Sequence, residues 1–407
     1  MAAAANIRER TMATGPIDPK AGFGKLVAAW LAAPVGVGQG FWHAGNTLDT
    51  CLTYLVQSKQ KDNDSRVQFV SSGEKIFRTS TGIYPNDPPG PGTPDHPTWW
   101  RDDYGWWGIA FLNAVQNAGP LGVEALVDAC KARADLCWQV MKKDWDTNKD
   151  EKGNHLGVRN DPRPNGQPIA NTITNVLFLM LSVRRYEISL LPGNKPDPDA
   201  LATAKDVFDW FYNAPPCDDP TGANGLYNKQ NLIRYYPSHY QDDRAWSADQ
   251  GWFWRACVDL DRHDTDKDRK AKYKEVSDKL WHAVLENVFD ANGIVRELRN
   301  DSNFDIDFAT GIGVFMRQFA YVNANINSSW VGQPNPWSPQ IRDSAQGAWA
   351  NSDWDREYTQ YNLPSGCWYA GGTDYFANES SVFGLWQLTI RTAAQDAFTA
   401  SMTVPPG

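Results

Sequence analysis

The chain predicts an all-α fold, an (α/α)6 toroid of six inner and six outer helices. Two observations carry this prediction. Six strongly apolar helical stretches recur at intervals of roughly 55 to 80 residues, and amphipathic helical stretches alternate with them. A third supports a single ring over two separate bundles, since no Pro/Ser/Gly-rich linker divides the 407 residues.

The apolar stretches are "FWHAGNTLDTCLTYLV" (41–56), "DDYGWWGIAFLNAV" (102–115), "NTITNVLFLMLSVRRYE" (171–187), "ADQGWFWRACVDLDR" (248–262), "DIDFATGIGVFMRQFAYV" (305–322) and "NESSVFGLWQLTIRTA" (378–393). Each is apolar around much of its circumference, as a helix packed on several sides must be. The outer candidates lie at 21–33, 64–79, 121–145, 199–213, 265–288 and 338–350. The clearest is "DRKAKYKEVSDKLWHAVLENVF", with Tyr273, Val276, Leu280, Val284, Leu285 and Val288 at helical spacing. This divides the chain into an N-terminal extension (1–20), one catalytic domain (21–396) and a C-terminal tail (397–407). The Pro/Gly-rich "YPNDPPGPGTPDHPTWW" (84–100) falls inside the repeat and reads as a loop at the mouth of the ring.

Composition is that of an ordinary globular protein, 42% hydrophobic and 21% charged, except for its 19 tryptophans. Burying Trp requires a partner for its N–H. The excess therefore reads either as a cleft for flat, half-apolar ligands such as sugars, or as a helical core that favours Trp. A net charge of −9 with no basic run argues against nucleic acid or an anionic membrane as partner. No apolar run reaches the ~18 residues of a membrane span. The beginning, "MAAAANIRERTMATG", lacks the apolar core of a signal peptide. Cys51, Cys130, Cys137 and Cys257 read as small buried hydrophobes, while a Cys217–Cys367 bridge stays open. The six histidines show no metal-binding spacing, and no cofactor motif is present. The expected molecule is a monomer without metal or cofactor.

Two inner helices begin alike. Asp103-Tyr104-Gly105-Trp106-Trp107 matches Asp249-Gln250-Gly251-Trp252-Phe253 as D-x-G-W-[WF]. Asn46, Asp49, Asp305, Asp307, Asn378 and Glu379 lie at or near other inner-helix starts. Helices running the same way would gather these polar groups at one end of the ring. Capping accounts for any one of them, because Asp and Asn accept backbone N–H bonds at a helix start.

Asp102 and Asp103 stand apart because they are adjacent and bracketed by Trp99, Trp100, Trp106 and Trp107. Two carboxylates in an aromatic-walled cleft suggest glycoside hydrolysis, which needs one acid for the leaving oxygen and a second carboxylate as nucleophile or base. Retaining enzymes hold the pair ~5 Å apart. Neighbouring residues entering a helix reach about that separation. Their mutual repulsion splits the two pKa values, which supplies one acid and one base. Asp218-Asp219 reads as a solvated turn, and Asp242-Asp243 as a weaker candidate before the fourth inner helix. Trp42, Asn46, Trp99, Trp100, Asp249, Gln250, Trp252 and Asp307 are the candidate substrate contacts, with Trp368 and Tyr369 behind them.

"RDDYGWWGIAFLNAV" resembles the signature of glycoside hydrolase family 76, the endo-α-1,6-mannanases. "FWHAGNTLDTCLTYLV" resembles the family's first inner helix, and "DIDFATGIGVFMRQFAYV", "QIRDSAQGAWANSDWD" and "SSVFGLWQLTIRTA" resemble its later segments in order, so the resemblance spans most of the chain. It implies the (α/α)6 fold, a retaining mechanism, an α-1,6-mannan substrate, Asp102 as nucleophile and Asp103 as acid/base. It also implies action on external or cell-wall glycans. The chain departs from the family at the fifth inner helix, where "ATGIG" replaces an Asn-Gln-Gly pattern.

Competing readings are a sugar isomerase or epimerase, for which His43 is the one placed histidine, and a carbohydrate-binding protein without catalysis. A binding protein has no use for two repelling carboxylates. A lyase would want basic residues where this chain has acids. "DTNKDEKGNH" (146–155) and "DTDKDRK" (264–270) resemble calcium loops but miss the required Gly and Glu positions. "NSS" (327–329) and "NES" (378–380) match glycosylation acceptors.

Overall fold

The computed structural model describes residues 16–32, 41–59, 63–80, 100–161, 170–214, 225–237, 244–296, 298, 306–351 and 380–405. Among these, twelve helices of 14 residues or more follow one another: α1 (Pro19–Ala32), α2 (Phe41–Ser58), α3 (Asn63–Ser80), α4 (Arg101–Gln116), α5 (Val127–Thr147), α6 (Thr172–Ser189), α7 (Pro198–Tyr212), α8 (Ser247–His263), α9 (Lys267–Asn287), α10 (Ile306–Asn325), α11 (Ser338–Asn351) and α12 (Ser380–Ser401). The even-numbered six are the apolar stretches and the odd-numbered six the amphipathic ones. α2 packs on α4, α4 on α6, α6 on α8, α8 on α10, α10 on α12, and α12 returns to α2. The outer helices lie against this closed inner ring, so the fold is an (α/α)6 toroid. α12 continues past 396 to Ser401, with Ala397, Phe398 and Ala400 buried, so the helix takes in the first residues of the predicted tail.

Glycine sets the spacing of the inner ring. A Cβ on Gly105 of α4 would lie 2.6 Å from Leu177 Cβ of α6, and one on Gly251 of α8 would lie 3.1 Å from Phe315 Cα of α10. The Gly of the repeated D-x-G-W motif is thus the point where one inner helix meets the next. Gly313, inside the divergent "ATGIG", is the tightest case: its Cβ would lie 2.3 Å from Ala393 Cα of α12.

Nine tryptophans are buried, and several satisfy the indole N–H on a neighbouring helix. Trp138 donates to Ser182 Oγ at 2.9 Å and Trp254 to Ser277 Oγ at 2.8 Å. Trp107 donates to the Phe41 carbonyl at 3.0 Å. Core packing therefore absorbs much of the Trp excess. Cys51, Cys130, Cys137 and Cys257 are buried free thiols, while Cys217 and Cys367 lie outside the described residues. No described helix is long and apolar enough to cross a membrane.

The first calcium-like stretch forms a small hairpin. Asp150 accepts from the backbone N–H of Lys152 (2.9 Å) and Asn154 (2.8 Å), across a turn with Gly153 at φ +84°. The same turn recurs at Asn228 and at Asp290, each accepting from backbone N–H groups two and four residues on. In the second stretch Asp266 caps α9, and Asp264 joins Lys205 (2.8 Å), Arg269 (3.2 Å) and Tyr273 (2.9 Å). These carboxylates serve turns, a cap and ion pairs.

Candidate functional site

A helix start leaves its first backbone N–H groups without intrahelical acceptors. At α4 the residue before the helix is Trp100, which has no acceptor to offer. Four bonds resolve this. The Trp100 N–H donates to Asp103 Oδ2 (3.1 Å) and the Asp103 N–H to Asp102 Oδ1 (3.1 Å). The N–H groups of Arg101 and Asp102 donate to the carbonyl (2.9 Å) and side-chain Oδ1 (3.3 Å) of Asn160. The aspartate pair thus caps the helix, as the plain alternative required.

Asn160 is a residue that sequence reasoning missed. It lies 58 positions away from Asp102, beyond the hairpin that follows α5. Only the fold brings it to the start of α4.

Asp103 is buried and Asp102 half-buried. Burial pushes the Asp102 carboxyl up to about 6, against the hydrogen bonds it receives from the Asp103 and Asp102 backbone and from Asn160. Desolvation disfavours the charged form, and the hydrogen bonds only partly offset it.

Below the pair, one helical turn on, lies Trp106. Its ring stacks on Trp42 of α2 (centroids 5.2 Å, 26°) and meets the edge of Trp252 of α8 (6.2 Å, 62°). Three inner helices contribute their first two turns to this aromatic floor. Trp252 is fully buried and half-buried Trp42 also lies against His43 (3.8 Å). Trp100, by contrast, is 46% exposed, a large ring held at the mouth beside the two acids.

The remaining candidates divide. Asp249 is fully buried in the first turn of α8. Gln250 is tied to the main chain: its Oε1 accepts from Ile233 N–H (2.8 Å), and its Nε2 donates to the Ile233 and Trp246 carbonyls (3.0 Å each). Asn46 accepts from Arg317 Nη2 at 2.6 Å inside the ring. Asp49, two turns into α2, accepts from Asn113 at the far end of α4 (2.6 Å). The predicted gathering at one end therefore fails for Asp49, because α2 begins at Phe41 and carries it down to the opposite end. Trp99, Asp305, Asp218-Asp219, Asp242-Asp243, Trp368, Tyr369, Asn378 and Glu379 lie outside the described residues, as does the side chain of Asp307.

A family model described as glycosyl hydrolase family 76 matches residues 32–401. No curated protein matches the sequence. Among solved structures, the chain is similar to an inactive variant of the α-1,6-mannanase GH76A of Salegentibacter sp. HEL1_6, in which two consecutive aspartates are replaced by asparagine, in complex with α-1,6-mannotriose. The TM-score is 0.61 at 14% identity, covering 94% of this chain and 98% of that one. A GH76 α-mannanase of Bacteroides thetaiotaomicron gives 0.60 at 13% identity (94% and 96%). Dfg5 of Chaetomium thermophilum, in complex with glucosamine, gives 0.57 at 18% identity (89% and 81%).

Proposed function

Because the chain belongs to glycosyl hydrolase family 76, we propose that it is a retaining, endo-acting α-1,6-mannanase whose reacting groups are Asp102 and Asp103. The observation that carries this reading is the pair itself: two adjacent carboxyl groups in the first turn of an inner helix, over an aromatic floor and beside an exposed Trp. The mannotriose complex of a relative inactivated at two consecutive aspartates supports it.

Asp102 attacks the anomeric carbon as its carboxylate, and the glycosidic C–O bond breaks. Asp103 gives its proton to the departing oxygen. In the second half Asp103, now ionised, takes a proton from water, whose oxygen attacks the anomeric carbon and releases Asp102. The capping bonds hold both groups in place without reorganisation.

The test is incubation with α-1,6-mannan and a panel of other α-glycans, including a glucosamine-bearing one in view of the Dfg5 complex. Oligosaccharides should appear from the mannan, with the α configuration in the first product seen by NMR. An inverted first product rejects the two-step mechanism, and cleavage confined to another glycan moves the substrate.

The pH dependence follows from Asp102. The nucleophile must be ionised, and burial raises its pKa to about 6. The rate (kcat/KM) should therefore fall as pH drops through about 6, rather than through the ordinary carboxylate range near 4. A pH–rate profile whose acid limb lies near 4 contradicts this assignment.

Trp100 supplies a face for a sugar ring. Trp100→Ala should weaken binding by about 1 kcal/mol, roughly fivefold in KM. Unchanged KM on the mannan removes Trp100 from the binding site.

A further inference from the structure

The opposite end of the inner ring holds a cavity of about 410 Å³. Asn113, whose amide bonds Asp49 on the cavity wall, lies ten residues beyond Asp103, about 15 Å along α4 at 1.5 Å per residue. The cavity is therefore separate from the aspartate pair.

Three guanidinium groups face it, from Arg184 (α6), Arg255 (α8) and Arg317 (α10), against two carboxylates, Asp49 and Asp396. Both carboxylates are committed to Arg317. Its Nη1 lies 2.9 Å from Asp396 Oδ1 and its Nε 3.4 Å from Asp49 Oδ2, while its Nη2 donates to Asn46. Arg255 has Asp259 at 3.2 Å and Gln318 at 2.8 Å, and its Cζ lies over the Tyr321 ring, 3.6 Å from the centroid. Asp259 also receives Arg262 (3.4 Å) and Tyr321 (2.6 Å), and Glu187 pairs with His263 (3.0 Å).

Arg184 differs: Asp49, Glu187 and Asp259 act on it at longer range, but none of the described carboxylates lies within ion-pair distance. It is 5% exposed, its Nη1 reaches only the Ile109 carbonyl at 3.5 Å, and its Nε has no partner among the described residues. Burial and the neighbouring charge of Arg255 lower its pKa to about 10, against the opposing pull of Asp49, Glu187 and Asp259, which leaves it cationic at neutral pH. A buried guanidinium with unfilled N–H donors is costly, and its planar fork suits an oxyanion.

We propose that this cavity is a binding site for a small oxyanion of the phosphate or sulfate type, held by Arg184 with Arg255 beside it. The volume also admits the phosphate group of a small sugar phosphate. The site is independent of the mannanase reading.

The test is thermal unfolding of the full chain in rising inorganic phosphate, with chloride at matched ionic strength and mannose 6-phosphate as a second arm. Anything that binds the folded state alone raises the Tm in a saturable way. Wild type should show a saturable rise of several degrees by tens of millimolar phosphate, and Arg184→Gln should lose it. A larger or earlier rise with mannose 6-phosphate identifies a sugar phosphate as the better ligand, and an equal one identifies the free anion. No saturable rise in wild type, or an equal rise in Arg184→Gln, overturns the proposal. Should Arg184→Gln fail to fold, wild-type crystals soaked in arsenate decide it. Anomalous density within hydrogen-bond reach of Arg184 supports the site, and a cavity holding only water overturns it.

Discussion

Asp102→Asn should abolish turnover on every substrate, including aryl α-mannosides with good leaving groups. The reason lies in what the leaving group cannot replace. An amide does not form the covalent glycosyl intermediate, so an activated substrate gives no rescue, and a loss of 10⁴-fold or more is expected from removing a nucleophile. Asp103→Asn should behave differently. An activated aryl leaving group needs little protonation, so the first step survives and the intermediate accumulates as a burst. Azide, which attacks without general-base help, should then restore part of the turnover and yield an α-mannosyl azide. The two variants should also differ in stability. Asp102 has its pKa raised by burial to about 6. The folded state therefore holds its proton where the unfolded chain has released it, and stability is lost as pH rises from about 4 to 6. Asn removes that penalty. Asp102→Asn should be more stable than wild type at pH 7.5, by on the order of 2 kcal/mol, and the difference should vanish near pH 4. Asp218→Asn, in the pair read from sequence as a solvated turn, should leave activity nearly unchanged. Near-full activity in both Asp102→Asn and Asp103→Asn reduces the pair to a cap. Azide rescue of Asp102→Asn, and not of Asp103→Asn, with an α-mannosyl azide as product exchanges the two roles, whereas a β-mannosyl azide from Asp102→Asn marks direct displacement in a nucleophile variant.

The sequence carries the ring well because ring packing is written in local periodicity. A helix buried on several sides must be apolar nearly all round, and a covering helix apolar on one face. "DRKAKYKEVSDKLWHAVLENVF" shows the second pattern and becomes Lys267–Asn287. The aspartate pair is equally visible, since adjacency is itself a sequence property. What periodicity does not carry is contact between distant segments. Asn160 supplies two acceptors to the start of α4 from a separate loop, and nothing around it in the chain marks that task. Arg184, Arg255 and Arg317 lie on three helices, and only closure of the ring turns them toward one cavity. Depth along a helix is also hidden. Asn46 and Asp49 look like mouth residues even with the helix start read at Phe41, and only their partners, Arg317 and Asn113, place them inside and at the far end of the ring. The tryptophans show the same blindness. The composition is identical whether a ring stacks on sugar or packs on Ser182, and the choice rests on which face each helix turns inward.

Gly313→Ala should be the most damaging single methyl in the described core. The added Cβ would lie 2.3 Å from Ala393 Cα, 2.7 Å from Ala393 Cβ and 3.0 Å from the Ala393 carbonyl oxygen. Two of these three atoms belong to the backbone of α12, so no rotamer change relieves the clash. The helices themselves must move apart. α10 and α12 form one of the six seams of the inner ring, and a closed ring cannot widen one seam without disturbing the others. Overpacking in a well-filled core costs about 1–3 kcal/mol where side chains can adjust. Here the cost should reach the top of that range or pass it, enough to lower the Tm by several degrees or to prevent folding. Gly24→Ala is the matched control, because its Cβ meets nothing within 4 Å, and a helical Gly→Ala in open space is stabilising by up to about 1 kcal/mol. The comparison is made by thermal and urea unfolding of both variants. A Gly313→Ala protein that unfolds at the wild-type temperature would mean that α10 and α12 stand further apart than their glycine contact requires. "ATGIG" would then be a tolerated departure from the family pattern rather than the residue choice that lets the ring close.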